Sequence, residues 1–273
     1  MKPILKVNVF SGFEETYQAW NGVPSVKLNN DLEGMKRYEE HWLYSSRETS
    51  EMIQSDKRTY NLYTYENQVD HYQQDHYQLH FSHKINQAWN INASAHYTYG
   101  RGYYENFKED EDLADYQLSN IMVGTELIET TNMVNRKWLD NDFYGFTYSL
   151  NYNENKSSFT LGGGFNVYDG NHFGNVIWST ISTTFDTPFT YYQNSSIKND
   201  GNIYSKATYD LNPIFSLYGD LQYRHVYYDF LGIDNEGSDL QQSIDLNFFN
   251  PKAGINAQLD PQNRVFLSTS VNL

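Results

Sequence analysis

Three histidines, His76, His80 and His83, fall close enough together to suggest a metal site. Strand geometry works against one. At about 3.3 Å per residue His76 and His80 lie about 13 Å apart, and His83 points to the opposite face. His96, on the following strand, would approach His80 diagonally, so His80 and His96 read as polar residues lining a shared face, with no metal ligand set expected. Asp220 and Arg224 share a face two pleats apart, but no base, nucleophile or second acid stands at a defined spacing from them. A polar network is expected there, and no catalytic residue. The run Glu109-Asp110-Glu111-Asp112 offers oxygens suited to Ca²⁺ but lacks a calcium-loop spacing, so it reads as a solvated acidic loop. Gly162-Gly163-Gly164 is followed by neither a helix nor a Lys-Ser/Thr pair, so it is no phosphate cradle. Glycine within a strand more readily permits a bend or a close approach. No cofactor is expected.

Aromatic side chains carry more information. Trp20, Trp42, Tyr103, Tyr104, Phe107, Trp138, Phe173 and Trp178, with His172 beside them, fall in segments that read as loops. Such side chains either bind an apolar, aromatic or sugar-like ligand at an open mouth or pack the loops on one another; both readings stand.

The elements that position these residues follow from period-two alternation. Tyr77, Leu79, Phe81 and Ile85 share one face of a strand against His76, Gln78, His80, Ser82 and Lys84. After a turn at 86–88, Trp89, Ile91, Ala93, Ala95, Tyr97 and Tyr99 share a face against Asn90, Asn92, Ser94, His96 and Thr98. The same grammar recurs around turns at 153–156, 212–213 and 260–263, and with an opening strand around Ile4 to Tyr17 the count is about nine. The intervening segments, roughly 18–72, 100–141, 169–199 and 229–246, read as long loops. Connections in compact domains have a median of about 4–6 residues, whereas short turns at one end and long loops at the other mark an outer-membrane barrel.

Charge decides between a membrane wall and a soluble sheet. Across the strands from Asp75 to Leu259 the apolar face carries no Lys, Arg or Glu, and its only Asp is Asp75, at a strand end. The opposite face holds Lys84, Lys206, Asp220, Arg224 and Lys252. A soluble sandwich would charge its water-facing side and prefer Val and Ile to Tyr inside. Composition agrees: 25 Tyr, 16 Phe and 5 Trp coexist with a mean hydropathy of -0.72. No stretch reaches the roughly 18 apolar residues of a membrane-spanning helix. The net charge of -15, with 18 of 34 acidic residues in the first two long segments, disfavours nucleic acid as a partner. Cysteine is absent, which excludes disulfides and thiolate metal sites.

The expected fold is therefore all-β: an antiparallel up-and-down transmembrane β-barrel with long extracellular loops, in the outer membrane of a Gram-negative cell. An odd strand count and an alternation still running at Leu273 read as an incomplete barrel, cut from a longer protein, with its lipid-exposed edges to be closed by further strands.

Several segments carry a family resemblance. Thr16-Tyr17-Gln18-Ala19-Trp20-Asn21-Gly22-Val23-Pro24, Arg58 to Tyr63, Asp70 to Gln74, His96 to Glu105, Lys137 to Gly145, Tyr168 to Gly174 and Phe248 to Gly254 resemble the TonB-dependent receptors abundant in Bacteroidetes outer membranes. The resemblance spans nearly the whole chain. It implies a 22-stranded barrel filled by an N-terminal plug, importing a scarce small molecule or metal chelate such as an iron–siderophore complex with energy from the TonB complex. No segment matches the signal peptide, the TonB contact region, the plug or a terminal aromatic strand, so residues 1–273 read as a middle part of the barrel. Two rivals remain from the residues alone. An outer-membrane barrel enzyme would show hydrolysis lost on changing a rim cluster, and a soluble glycan-binding β-protein would stay in water without detergent.

Overall fold

The computed structural model describes residues 2–41, 43–181 and 186–271. Nine strands form one antiparallel sheet: β1 (Ile4–Tyr17), β2 (Val69–Lys84), β3 (Trp89–Asp112), β6 (Thr130–Glu154), β7 (Ser157–Ser179), β8 (Phe189–Asp210), β9 (Phe215–Gly232), β10 (Gln242–Gln258) and β11 (Arg264–Ser270). Each pairs with its sequence neighbour in the sheet, so the topology is up-and-down and open, with β1 and β11 at its edges. A small separate hairpin, β4 (Ile121–Val123) and β5 (Glu126–Ile128), lies in the connection between β3 and β6.

The short turns repeat one device. Asn86 Oδ1 accepts from the backbone N–H of Ala88 and Trp89, Asn212 Oδ1 from Ile214 and Phe215, and Asp260 Oδ1 from Gln262 and Asn263. An Asn or Asp that holds the next two or three amides reverses the chain without help from distant residues. The fourth turn places Asn155 at φ 51°, in the left-handed region that Asn tolerates.

Register aligns the alternation across strands. Tyr77, Tyr97 and Tyr144 lie side by side, and below them run the rows Leu79–Ala95–Phe146 and Phe81–Ala93–Tyr148. At the lower margin Trp89 meets Tyr152, with ring centroids 4.9 Å apart. This is a lipid-compatible band between two aromatic margins. Many of its side chains stand open on the sheet surface, Leu79 at 43% and Phe146 at 48%. The other face presents His76, Gln78, His80 and their neighbours in rows of polar side chains.

The strands are much longer than the sequence suggests. Residues 100–112, 130–141, 169–179 and 189–199 are paired strand, and the true connections are 18–68, 113–129, 180–188 and 233–241. Beyond the lipid-compatible band the apolar/polar alternation that marks a half-buried strand disappears while the backbone ladder continues. Tyr103, Tyr104, Trp138, His172 and Trp178 accordingly stand on strands, whereas Trp20 follows β1 in a connection. Trp42 lies outside the described residues, as does Leu273, so the run of alternation expected to its end is not described.

The first connection is not irregular either. It holds three helices, α1 (Ser25–Leu28), α2 (Leu32–Glu40) and α3 (Ser46–Gln54). Asp31 caps α2 by accepting from the Gly34 amide at 2.9 Å, and a Ser45/Glu48 capping box starts α3. Met35, Met52 and Tyr60 form its small core.

Candidate functional site

The face to which each side chain points separates the expected site residues. The interior face of the sheet carries Tyr104, His172, His80, His96, Asp220 and Arg224, whereas Tyr103, Trp138 and Trp178 point out of the wall. In the register Tyr103 pairs with Trp138 and Trp138 with Phe173, all on the face of the lipid-compatible band. Their rings lie on that outer face, although Tyr103 and Trp138 also border the second of the cavities at the extracellular end. Trp178, 45% exposed, borders a separate groove on the outside with Phe107 and Val134.

Lower in the interior the polar groups form local pairs. His80 Nδ1 lies 3.0 Å from Ser94 Oγ and His96 Nε2 lies 2.9 Å from Asn166 Oδ1, so the two histidines do not converge. Arg224 is held by Asp200, with Nε to Oδ1 at 2.8 Å, and not by Asp220, which accepts from Tyr218. Asp200 lies on the neighbouring strand, a partner that spacing along one strand could not reveal. Tyr204 lies over Gly162, whose added Cβ would meet the ring at 2.6 Å, so the close approach expected at the glycine run comes from an adjacent tyrosine. Among the described residues no group of three His, Asp or Glu is placed to hold a metal ion.

The extracellular end is hollow. An upper cavity of about 590 Å³ lies under the first connection, lined by Trp20, Tyr63, Tyr104, Lys137, Tyr191 and Glu236 among others. A second of about 620 Å³ lies against the wall and shares Tyr104 and Lys137 with it, adding Tyr72, Asp70, His172 and Tyr192. Trp20 packs edge-on to Tyr63 and Tyr104, at 5.9 and 5.0 Å between centroids. Three cations and four carboxylates line the upper cavity: Arg47, Lys108 and Lys137 against Glu48, Glu111, Asp115 and Glu236.

Local backbone irregularities build this mouth. The β7–β8 register shifts between Gly174 and Asn175, leaving Tyr191 as an extra residue beside Tyr192. Such a bulge re-aims a side chain, and the absence of a Cβ at Gly174 leaves room for both rings. They pack with Leu113, Tyr116, Met133 and Val176 in the second apolar core. Burial raises the Tyr191 phenol well above its ordinary range and pushes Tyr192 up to about 12, so both stay neutral donors. The Tyr191 hydroxyl and Asn135 Oδ1 are buried without a hydrogen-bond partner, and both residues line the upper cavity. Each of these atoms calls for a partner that the described residues do not supply. Sequence reasoning missed Lys137, Tyr191, Tyr192 and Asn135 because their roles depend on bulges and on which face a long strand turns inward. The adjacent pair Tyr191-Tyr192 was the available signal.

Lys137 sits between the cavities. Desolvation lowers its pKa, helped by nearby Lys108 and opposed by Glu111 and Glu236. His172 is also held below its ordinary 6.5, chiefly by burial and against a hydrogen bond to Asn194. Its folded pKa being depressed, the folded state binds fewer protons than the unfolded one as pH drops below 6.5. Stability contributed by neutral His172 is present above that value and is lost as pH falls toward the folded pKa. The rim around Tyr168, whose hydroxyl lies 3.1 Å from His172 Nε2, should exchange amide hydrogen faster at pH 5.5 than at 7.5. His172→Gln should remove most of that pH difference, and an unchanged difference would count against this assignment.

No protein-family model matches the sequence, and no curated protein matches it. Solved structures do match in fold. The ferric-catecholate import receptor Fiu of Escherichia coli K12, in its closed form, aligns over 98% of this chain and 40% of its own at 15% identity and a TM-score of 0.64. Its open form aligns over 98% and 44%, at 15% identity and 0.62. The copper transporter OprC aligns over 73% of this chain and 30% of its own, at 10% identity and 0.52. This chain thus spans less than half the length of these structures, 40% and 44% of the two Fiu chains and 30% of OprC, and its open sheet of nine strands shares their fold over that part.

Proposed function

We propose that this chain forms part of the wall of an outer-membrane transport receptor of the TonB-dependent type, which captures a scarce ligand such as a metal chelate at its extracellular mouth. The reading includes a plug domain, TonB contacts and closing strands supplied by sequence outside residues 1–273. The segments quoted from Thr16 to Gly254 favour the Bacteroidetes branch of these receptors. One observation carries the reading: an uncharged, Tyr-rich outward band stands below two adjoining cavities at the long-connection end, bridged by Lys137 and Tyr104. A wall that faces lipid outside and is hollow and polar inside is arranged for passage and capture.

Within the mouth, Trp20, Tyr104 and Tyr192 supply aromatic surface, His172 and the Tyr191 hydroxyl supply neutral polar contacts, and Lys137 supplies the cation. Aromatic surface, neutral donors and one cation are the groups of a site that binds.

Cells expressing the complete barrel should accumulate radioactive iron supplied as catecholate, hydroxamate or citrate chelates, with one chelate class preferred. Uptake should stop when the proton gradient is collapsed. Lys137→Ala should weaken apparent affinity by about tenfold, since a hydrogen bond to a charged group is worth about 1.5–3 kcal/mol. Energy-independent uptake, or none of any chelate by a protein assembled in the membrane, would refute the receptor reading in this form.

A further inference from the structure

Five rings stand in a row across neighbouring strands on the outside of the wall. Phe13, His71, Tyr103, Trp138 and Phe173 follow one another with centroids 4.8, 5.0, 4.6 and 5.8 Å apart. Arg136 lies 4.2 Å from the Tyr103 ring and Arg101 5.3 Å from Trp138, which fixes the two central rings. Phe13 stands one register row below the other four, beside Gln73, and the rest of that row is polar: Gln73, Arg101, Asp140 and Asn171. Tyr103 and Trp138 border the second cavity, but their rings are stacked along the outer face, with Phe13, His71 and Phe173, which a ligand held inside the mouth would leave uncovered.

We propose that this ridge docks the neutral sugars of a glycolipid headgroup in the outer leaflet. The proposal rests on the reading that the band below it spans the membrane. Six residues separate Tyr97 from Tyr103 and Tyr144 from Trp138, about 20 Å along a strand and about 15 Å of height at a tilt near 40°. The interfacial zone of a bilayer is only about 5–8 Å deep on each side, so the ridge stands above phospholipid headgroups. It lies where the saccharide of a glycolipid stands, continuous with the lipid-facing wall.

Chemistry agrees with position. A pyranose presents a patch of C–H groups bordered by hydroxyls, and the wall presents an apolar ridge bordered by amides and carboxylates. The intervening carboxylates already accept hydroxyl donors, Asp142 from Tyr97 at 2.5 Å and Asp75 from Ser11 at 2.5 Å. The two arginines beside the rings are already paired, Arg101 with Asp140 at 3.5 Å and Arg136 with Glu105 at 2.7 Å, so a lipid phosphate would compete with an existing carboxylate partner.

The test uses the membrane-assembled protein in phospholipid nanodiscs doped with lipopolysaccharide that carries its core oligosaccharide, or with a form ending at lipid A. Native mass spectrometry reads the glycolipid retained. Core-bearing lipid should be retained about tenfold better than lipid A alone. Trp138→Ala combined with Tyr103→Ala should abolish that difference, and Trp138→Phe should keep most of it. Equal retention of the two lipids would overturn the proposal, as would retention that needs Mg²⁺ and ignores the ring substitutions. Cross-linked pairs of the protein held through the ridge in phospholipid alone would overturn it in favour of self-association. A protein that does not enter nanodiscs at all would instead sink the membrane-spanning reading beneath it.

Discussion

A Phe146→Arg variant should fail to accumulate in the outer membrane, whereas Thr147→Arg, one residue along the same strand, should assemble. Phe146 lies in the middle of the outward band, between Ala95 and Phe165, and is 48% exposed on the sheet surface. Placing a guanidinium at that depth against lipid costs about 2–4 kcal/mol. Thr147 points the other way, into a polar hollow of about 240 Å³ shared with Ser94, Asn166 and Asn202. An arginine there meets amide and hydroxyl oxygens and, in the assembled barrel, water. The measurement is the amount of each variant in the urea-washed membrane fraction, relative to the parent protein. Equal losses for both variants would mean that substitution in this strand is harmful on either face, and the assignment of faces would fall.

The second large effect concerns a carboxylate that no motif advertises. Glu105, whose side chain is 1% exposed, lies on the outward face of β3, just beyond its pairing with the first residues of β2. Its Oε2 accepts from Arg136 Nε at 2.7 Å, and its Oε1 from Asn67 Nδ2 at 2.7 Å and the Tyr65 hydroxyl at 3.1 Å. Gln18 adds a hydrogen bond to the Glu105 backbone oxygen at 3.0 Å, so residues from both ends of the first connection are tied to one point. Glu105→Ala would leave a partly buried guanidinium and two donors without their acceptor. Removing one member of a buried ion pair costs about 3–5 kcal/mol. The loss should appear locally: faster amide exchange and protease cleavage within residues 60–68, with the strands below unaffected. Glu105→Gln, which keeps the shape and part of the hydrogen bonding, should fall between. Unchanged protection of 60–68 in the alanine variant would show that the helical connection holds itself in place.

These two predictions also mark the limit of what the sequence reveals. Phe146 and Thr147 are assigned to opposite faces by alternation alone, because each strand there has an apolar face and a polar one. Glu105 is silent in the sequence, since its burial depends on a strap that returns from residues 60–68.

The lipid-compatible strands, their count, the four short turns and the end that carries long connections all follow from local rules. Period-two alternation, Asn or Asp at a reversal, and charge kept off one face act over a few residues and need no knowledge of distant neighbours. Beyond the lipid-compatible band those rules lose their contrast. Both sides of Tyr103-Tyr104 and Lys137-Trp138 meet water or loops, so a sequence reader sees aromatic and charged residues without a period and infers loops.

Tertiary structure decided the rest. Cross-strand register sent Tyr104 and His172 inward and Tyr103 and Trp138 outward. A bulge beside Gly174 brought Tyr191 and Tyr192 together, and a neighbouring strand gave Arg224 its partner Asp200 in place of Asp220. Each outcome turns on pairing between strands, and a one-residue change in pairing moves a side chain to the other face. The sequence by itself therefore determined that this protein builds a membrane-compatible β-wall, and only the assembled sheet determined which of its aromatic residues stand in the mouth and which stand outside it.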